Sequence, residues 1–412
     1  METVNQINSG DTAWVLVSAA LVLLMTPALG FFYGGMVRRK NILGVLMQCM
    51  SCLIIISLLW GIYGYSLAFS RGNPFFGGLD WVMLKGVGAA PNPNYGPTIP
   101  QGAFVIFQCM FAVITPAIIC GSYAERVKFS SFLLFTVLWL TFVYCPMAHM
   151  AWAPGGLMKS WGLLDFAGGT VVEINCGVAG LITALYLGKR IGIGYPSLHN
   201  LPLVVLGAAL LWFGWLGFNA GSALAANSVA VNAFIATNTA GAAAAVSWAV
   251  VEWATTGKPT MFGTVTGAVA GLVAITPSSG FVNFTGALIT GVVVGVLSYF
   301  AVSYIKPKFG YDDTLDAFGV HAVGGFWGLI AVGLLATVTV NPAGRDGLFN
   351  GNSALLFSQL KCALFAVVYC AGMTSLVCWV TNKIIPMRVS QEQEIMGLDL
   401  SQHHERAYSI LD

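Results

Sequence analysis

The chain has 412 residues, of which 57% are hydrophobic and 8% charged, with a formal net charge of +2. A soluble domain carries roughly 25% charged residues, so this composition excludes an ordinary soluble protein. The near balance of 18 basic against 16 acidic side chains gives no footing for nucleic acid as a partner. What remains is a polytopic membrane protein.

Residues 1–11 contain no Lys or Arg, so they lack the basic n-region of a secretory signal peptide and are expected to remain as a short external start. Apolar runs long enough to cross about 30 Å of hydrocarbon predict eleven helices. They lie near 12–35, 42–69, 101–123, 129–150, 165–187, 201–222, 232–254, 262–277, 284–305, 317–338 and 353–380. An odd number puts the termini on opposite sides. Of the 18 basic residues, 13 fall in one set of alternate connections or in the tail, four in the other set, and Lys361 at the start of the last span. The positive-inside rule then places the N-terminus outside and the tail in the cytoplasm.

Two internal echoes bear on topology. Leu29-Gly30-Phe31-x-x-Gly34 in the first helix returns as Leu216-Gly217-Phe218-x-x-Gly221 in the sixth, and the helix opened by Asp165 is echoed by the tenth, opened by Asp316. The paired helices cross in opposite directions, the signature of an inverted repeat with a substrate route at the repeat interface. The expected fold is therefore all-α, with five-helix repeats at about 12–187 and 201–338 and an eleventh helix added. Residues 1–380 form the transmembrane domain and 381–412 a cytoplasmic tail. Small residues at every fourth position, such as Gly263, Gly267 and Gly271, allow close helix packing and say nothing of the cargo.

One side chain stands out from this apolar background. Glu173 lies deep in the fifth helix, where an ionisable group costs at least about 2.5 kcal/mol and marks a substrate or ion path by default; the plainer reading is a polar group that holds helix packing. Glu173 follows Asp165 by eight residues and His321 follows Asp316 by five. At 1.5 Å per residue on opposed helices, Glu173 and His321 fall within roughly 10 Å of each other in depth. Spacing does not establish contact. Asp165 and Asp316 suit helix N-caps, and for Asp165 that structural role outweighs direct substrate contact. Phe107, Phe111, Trp152 and Phe218 gather near the outer end, either as core and interfacial rings or as a face that attracts a small cation.

The nine cysteines are scattered through apolar runs and read as small packing residues. Neither the Cys49/Cys52 pair nor the adjacent His403 and His404 makes a metal-ligand set, so no metal site is expected. The absence of HExxH and GxSxG argues against an enzyme.

Several motifs recur in one order: Gly-Phe-Phe-Tyr-Gly-Gly at 30–35, Phe-Gln-Cys-Met-Phe at 107–111, Ala-Glu-Arg at 124–126 and Asp-Phe-Ala-Gly-Gly-Thr-Val-Val at 165–172. Trp-Leu-Gly-Phe-Asn-Ala-Gly-Ser at 215–222, Asp-Ala-Phe-Gly-Val-His at 316–321 and Gly-Leu-Asp at 397–399 complete the set. In this combination the chain closely resembles the ammonium transporter family (Amt/Mep/Rh), bacterial Amt branch. The resemblance implies a homotrimer in the cytoplasmic membrane with one pore per subunit and no cofactor.

It also assigns roles. Phe107, Phe111, Trp152 and Ser222 would recruit ammonium, with Asp165 ordering that site from behind, and Phe111 and Phe218 would gate the pore. His321 matches the second of the family's paired pore histidines, and Glu173 stands where the first belongs. Desolvation and a neighbouring His321 cation act in opposite senses on an acid there, so the two groups titrate jointly. The implied mechanism is capture of the ammonium ion, deprotonation, and separate passage of ammonia and proton. The tail residues Gly397, Leu398, Asp399, His403, Glu405, Ala407 and Tyr408 match a regulatory tail that packs under the neighbouring subunit and answers to a PII-type signalling protein. His404 stands where the family usually has Gly. The rival reading is an ammonium sensor with little flux; a tail of about 32 residues is too short for a catalytic output domain, so it would signal through a separate partner.

Overall fold

In hydrocarbon every backbone N–H and C=O must find its partner within the segment, which leaves the long apolar runs only the helix. The computed structural model describes residues 7–192 and 198–408. The first six residues of the expected external start, five in the connection after the fifth helix and the last four of the tail lie outside the described residues. Among the described residues, ten helices are long and apolar enough to span: α1 (Ser9–Met36), α2 (Arg39–Phe69), α3 (Gln101–Tyr123), α4 (Phe129–Ser160), α5 (Gly169–Leu187), α6 (Leu201–Gly221), α7 (Ser228–Thr256), α9 (Phe284–Phe309), α10 (Phe318–Leu335) and α11 (Ser353–Ile384). The remaining crossing, α8 (Met261–Ile275), has 15 residues, a rise of about 22 Å. The buried turn that follows it, 276–282, carries the chain the rest of the way.

The eleven expected helices are thus present, with shifted ends. Six of them open on a side-chain cap: Asn8, Asn200, Asn227, Thr260, Asn283 and Asn352 each accept a hydrogen bond from a first-turn N–H. Such caps satisfy donors that would otherwise face the membrane boundary unpaired. One departure from the all-helical expectation is a short antiparallel hairpin, β1 (Pro91–Asn92) with β2 (Gly96–Pro100), in the long connection after α2. Two short helices, α12 (Gln391–Met396) and α13 (Leu398–His403), form the tail.

The echo between the first and sixth helices has a spatial counterpart. α1 and α6 pack against each other, and a Cβ at Gly207 would overlap the Phe32 backbone while one at Gly217 would sit 2.7 Å from Leu21 Cβ. Glycine at these points is what lets the two helices meet, and a small cavity lined by Leu29 and Phe32 of α1 and Leu211 and Trp215 of α6 lies beside this seam.

Candidate functional site

The site is built on α5 and α10, which begin late. The sequence places the start of α5 at Asp165, but the helix opens at Gly169, because Asp165 caps it from outside. The Asp165 carboxylate accepts from the N–H groups of Gly168 (2.8 Å), Gly169 (2.6 Å) and Thr170 (2.8 Å), and from the Thr170 hydroxyl. Its role is the cap. The expectation for Asp316 is corrected: the Phe318 N–H is taken by Asp313 Oδ2 at 2.8 Å, whereas Asp316 has a left-handed backbone (φ 63°) and pairs with Lys306 Nζ at 2.5 Å. The true counterpart of Asp165 is Asp313. Asp165 stands eight residues before Glu173 and Asp313 eight before His321, and the offset between Glu173 and His321 is 148. That shared spacing was the available signal.

Both helices open in a π-helical turn, Gly169–Ile174 carrying Glu173 and Phe318–Ala322 carrying His321. Such turns are rare and concentrate at functional positions. The helices meet closely because Gly177 lies on the Ala322 backbone and Gly325 lies on Glu173, where an added Cβ would be 2.7 Å from Glu173 Cβ. Glu173 and His321 are consequently in direct contact, Nδ1 to Oε2 at 2.7 Å, with 0% and 4% of each residue exposed. Glu173 Oε1 has no hydrogen-bond partner.

Cavities run in series through this pair. Towards the N-terminal face lies a vestibule of about 550 Å³ lined by Phe69, Phe104, Phe111, Trp152, Lys159 and Ser222 among others. Phe111 and Phe218 close its floor with ring centroids 4.1 Å apart and planes tilted by 34°. Beneath them a space of about 10 Å³, bounded by Phe218, Trp215, Val172, Glu173 and His321, has room for about one water-sized molecule. A second space of about 10 Å³ continues from His321 past Tyr33 and Thr266 to Asp316. It leads to a vestibule of about 750 Å³ on the tail face, lined by Asp316, Lys306, Arg190, Glu125 and Arg38 among others.

The residues expected at the outer end are therefore mostly together. Trp152 is fixed by its indole N–H, which donates to the Asp165 carbonyl at 3.0 Å, and the Ser222 hydroxyl donates to the Phe218 carbonyl at 2.8 Å, leaving its lone pairs free to accept. Phe107 is set apart: it is fully buried, does not line the vestibule, and packs edge-on behind Phe111 at 4.9 Å. Lys159, which the sequence reading passed over, donates from its ammonium group to the Trp152 carbonyl at 2.7 Å.

The tail face is a charge network. Arg38 donates to Glu125 (2.6 Å from its backbone N–H), and Arg190 bridges Glu125 (3.0 Å) and Asp312 (2.9 Å). Burial alone would raise the Glu125 carboxyl, but the Arg190 and Arg38 charges outweigh it and hold the group below the usual carboxylate range. Asp312 is likewise held low by Arg190 and Arg126 against burial. The tail is seated on this network: Glu394 accepts from the Ile191 N–H (2.6 Å) and pairs with Arg388 (3.0 Å), and Asp399 accepts from the Gly44 N–H (2.8 Å). These contacts tie the tail to the connection after α5 and to the first turns of α2 in the same chain. His404 adopts the left-handed conformation that Gly would take freely (φ 56°).

The model of the Ammonium Transporter Family matches residues 13–408. The ammonium transporter of Bacillus subtilis (strain 168) is 50% identical, covering 97% of this chain and 98% of its own. The ammonium transporter Amt1 of Archaeoglobus fulgidus is 47% identical over 98% of this chain and 100% of its own. Among solved structures, Saccharomyces cerevisiae Mep2 superposes with a TM-score of 0.88 at 34% identity, covering 94% of this chain and 89% of that one. A pore threaded between two inverted repeats, and likeness of sequence and fold along nearly the whole length, lead to one conclusion: this chain belongs to the ammonium transporter family.

Proposed function

We propose that the chain moves ammonium across the cytoplasmic membrane by recruiting the ion in the aromatic vestibule and passing ammonia and proton through the Glu173–His321 pair. The observation that carries this reading is the pair itself: a carboxylate and an imidazole in contact at 2.7 Å, buried between two water-sized cavities. The ring faces of Phe111 and Trp152 supply cation–π attraction worth about 0.5–2 kcal/mol, and Ser222 supplies an acceptor. The stacked Phe111 and Phe218 exclude a hydrated ion, so the cargo sheds water and its proton before the narrow segment. Phe107 backs the gate ring, and Asp165 holds the vestibule floor through Trp152. Glu173 offers the proton a second station beside His321.

The vestibule with the rings faces outward in this reading, supported by the excess of basic residues on the tail face. The same reading takes the assembly to be a homotrimer with one pore per subunit, as the sequence resemblance implies. Residues 1–380 form the transmembrane domain, and 381–412 act as a regulatory tail through which a PII-type protein reaches the inner mouth; the contacts of Glu394 and Asp399 support that role.

The test is an ammonium-evoked current from purified protein in liposomes, measured on solid-supported membranes over a range of pH. We expect a saturable current absent from protein-free vesicles. Ammonium binding without current would replace transport by the sensor reading.

A further inference from the structure

Cys176 follows Glu173 by three residues, which puts both on one face of α5, and its thiol donates to the Glu173 carbonyl at 3.4 Å. The crossing of α5 and α10 adds His321 to that face. One ligand atom from each of Glu173, Cys176 and His321 lies within 4.8 Å of the others, all three residues being buried. A tetrahedral zinc site has ligand-to-ligand edges of roughly 3.5 Å, from bonds of about 2.0–2.3 Å, so side-chain shifts of about an ångström close the set. Glu173 Oε1 is buried without a partner, a free acceptor at the place where a cation would sit.

The donor types narrow the ligand. A thiolate, a carboxylate and a neutral imidazole carry two negative charges between them, so a divalent ion makes the site neutral, which lifts much of the penalty for charge in an apolar core. Sulfur beside nitrogen selects a thiophilic ion over magnesium or calcium. Three protein ligands leave a fourth position open, and Glu173 and His321 both line the cavity of about 10 Å³ beneath Phe218, room for one water or ammonia.

We propose that Glu173, Cys176 and His321 form a three-ligand site for Zn²⁺ or a similar thiophilic divalent cation, and that the bound ion plugs the pore. The plug rests on the transport reading above; the binding does not. Cys370, on α11, does not belong to this ligand group and donates to the Asn175 carbonyl at 3.0 Å.

Co²⁺ serves as a spectroscopic stand-in for Zn²⁺ on the purified full-length protein. We expect tetrahedral d–d bands and a sulfur-to-cobalt charge-transfer band at one Co²⁺ per chain, bleached by added Zn²⁺. The charge-transfer band should vanish in Cys176→Ala and in Cys176→Ser, two variants that guard against one failing to fold. No such band in the wild type, or a band that survives in both variants, overturns the site. In liposomes Zn²⁺ should block the ammonium current, and Cys176→Ala, with its uninhibited current intact, should need about tenfold more Zn²⁺ or above. Equal block of wild type and variant overturns the plug. A cobalt band in protein that carries no current would sink transport and leave the metal site standing, so the two failures are told apart.

Discussion

The two helices that carry the Glu173–His321 contact, α5 and α10, share a frame and carry different chemistry. Each is capped by an aspartate eight residues before its member of the pair, opens in a π turn, and contributes a glycine or alanine that lets the other approach. Yet one presents a carboxylate and the other an imidazole at the point where they touch. The caps differ as well. Asp165 gathers three backbone N–H groups and a hydroxyl, while Asp313 takes the Phe318 N–H beside an Asp316 that is spent on Lys306. The repeat thus supplies a place for two facing groups, and the identity of each group is set by the local sequence alone.

Unequal caps should give unequal losses. We expect Asp165→Ala to lower the stability of the detergent-solubilised protein by about 3–5 kcal/mol, since hydrogen bonds to a charged acceptor contribute about 1.5–3 kcal/mol each and their donors would be left buried. Asp313→Ala should cost about 1 kcal/mol, the value of an ordinary cap. Thermal melts of the two variants decide this, and a reversed order would break the comparison.

The two vestibules offer a second contrast, because ion-paired carboxylates hold the one on the tail face, whereas the walls of the ring-lined one are set by Phe111 and Phe218 packing and by uncharged hydrogen bonds of Trp152 and Ser222. Glu125 and Asp312 have folded-state pKa values below their ordinary ones. Groups of this kind contribute stability above the unfolded pKa and lose it as the pH falls through the folded one. Hydrogen exchange at 188–192 and 388–399 should therefore stay slow at neutral pH and quicken in acid below the usual carboxylate range, with no matching change at 104–111, the part of α3 that walls the ring-lined vestibule. Equal response at both mouths would erase the distinction.

Smaller effects sharpen the same picture. Gly325→Ala places a methyl group against Glu173 Cβ, and such overpacking costs about 1–3 kcal/mol; we expect a lower melting temperature together with a reduced current. In the tail, His404→Gly removes the strain of a left-handed residue (φ 56°), and we expect a gain of about 1 kcal/mol at most, read as slower exchange at 398–408.

Much of this was legible in the sequence. Eleven apolar runs fix eleven crossings because helix length is dictated by bilayer thickness, and Glu173 is conspicuous because acids are costly there. Its contact with His321 was not legible, since spacing along a helix gives depth but not the direction in which a side chain points. Asp316 was taken for the cap in place of Asp313 because both precede α10; the eight-residue spacing shared with Asp165 was the one signal for Asp313, and the turn geometry separates the cap from the ion pair. The tail-face charges were read as an orientation signal; that Arg190 reaches Asp312, 122 residues away, is a fact of tertiary structure. Cys176 was read as packing because His321, which comes near it, lies on another helix.

The most direct test of the Glu173–His321 pair as the conducting point is the ammonium-evoked current of Glu173→Gln against wild type across pH. Glutamine keeps the shape and a hydrogen bond to His321 but removes the proton station. We expect the current to fall about tenfold or more or to lose its wild-type pH dependence, with the melting temperature little changed. A variant whose current and pH profile match the wild type would show that Glu173 holds helices together and takes no part in conduction.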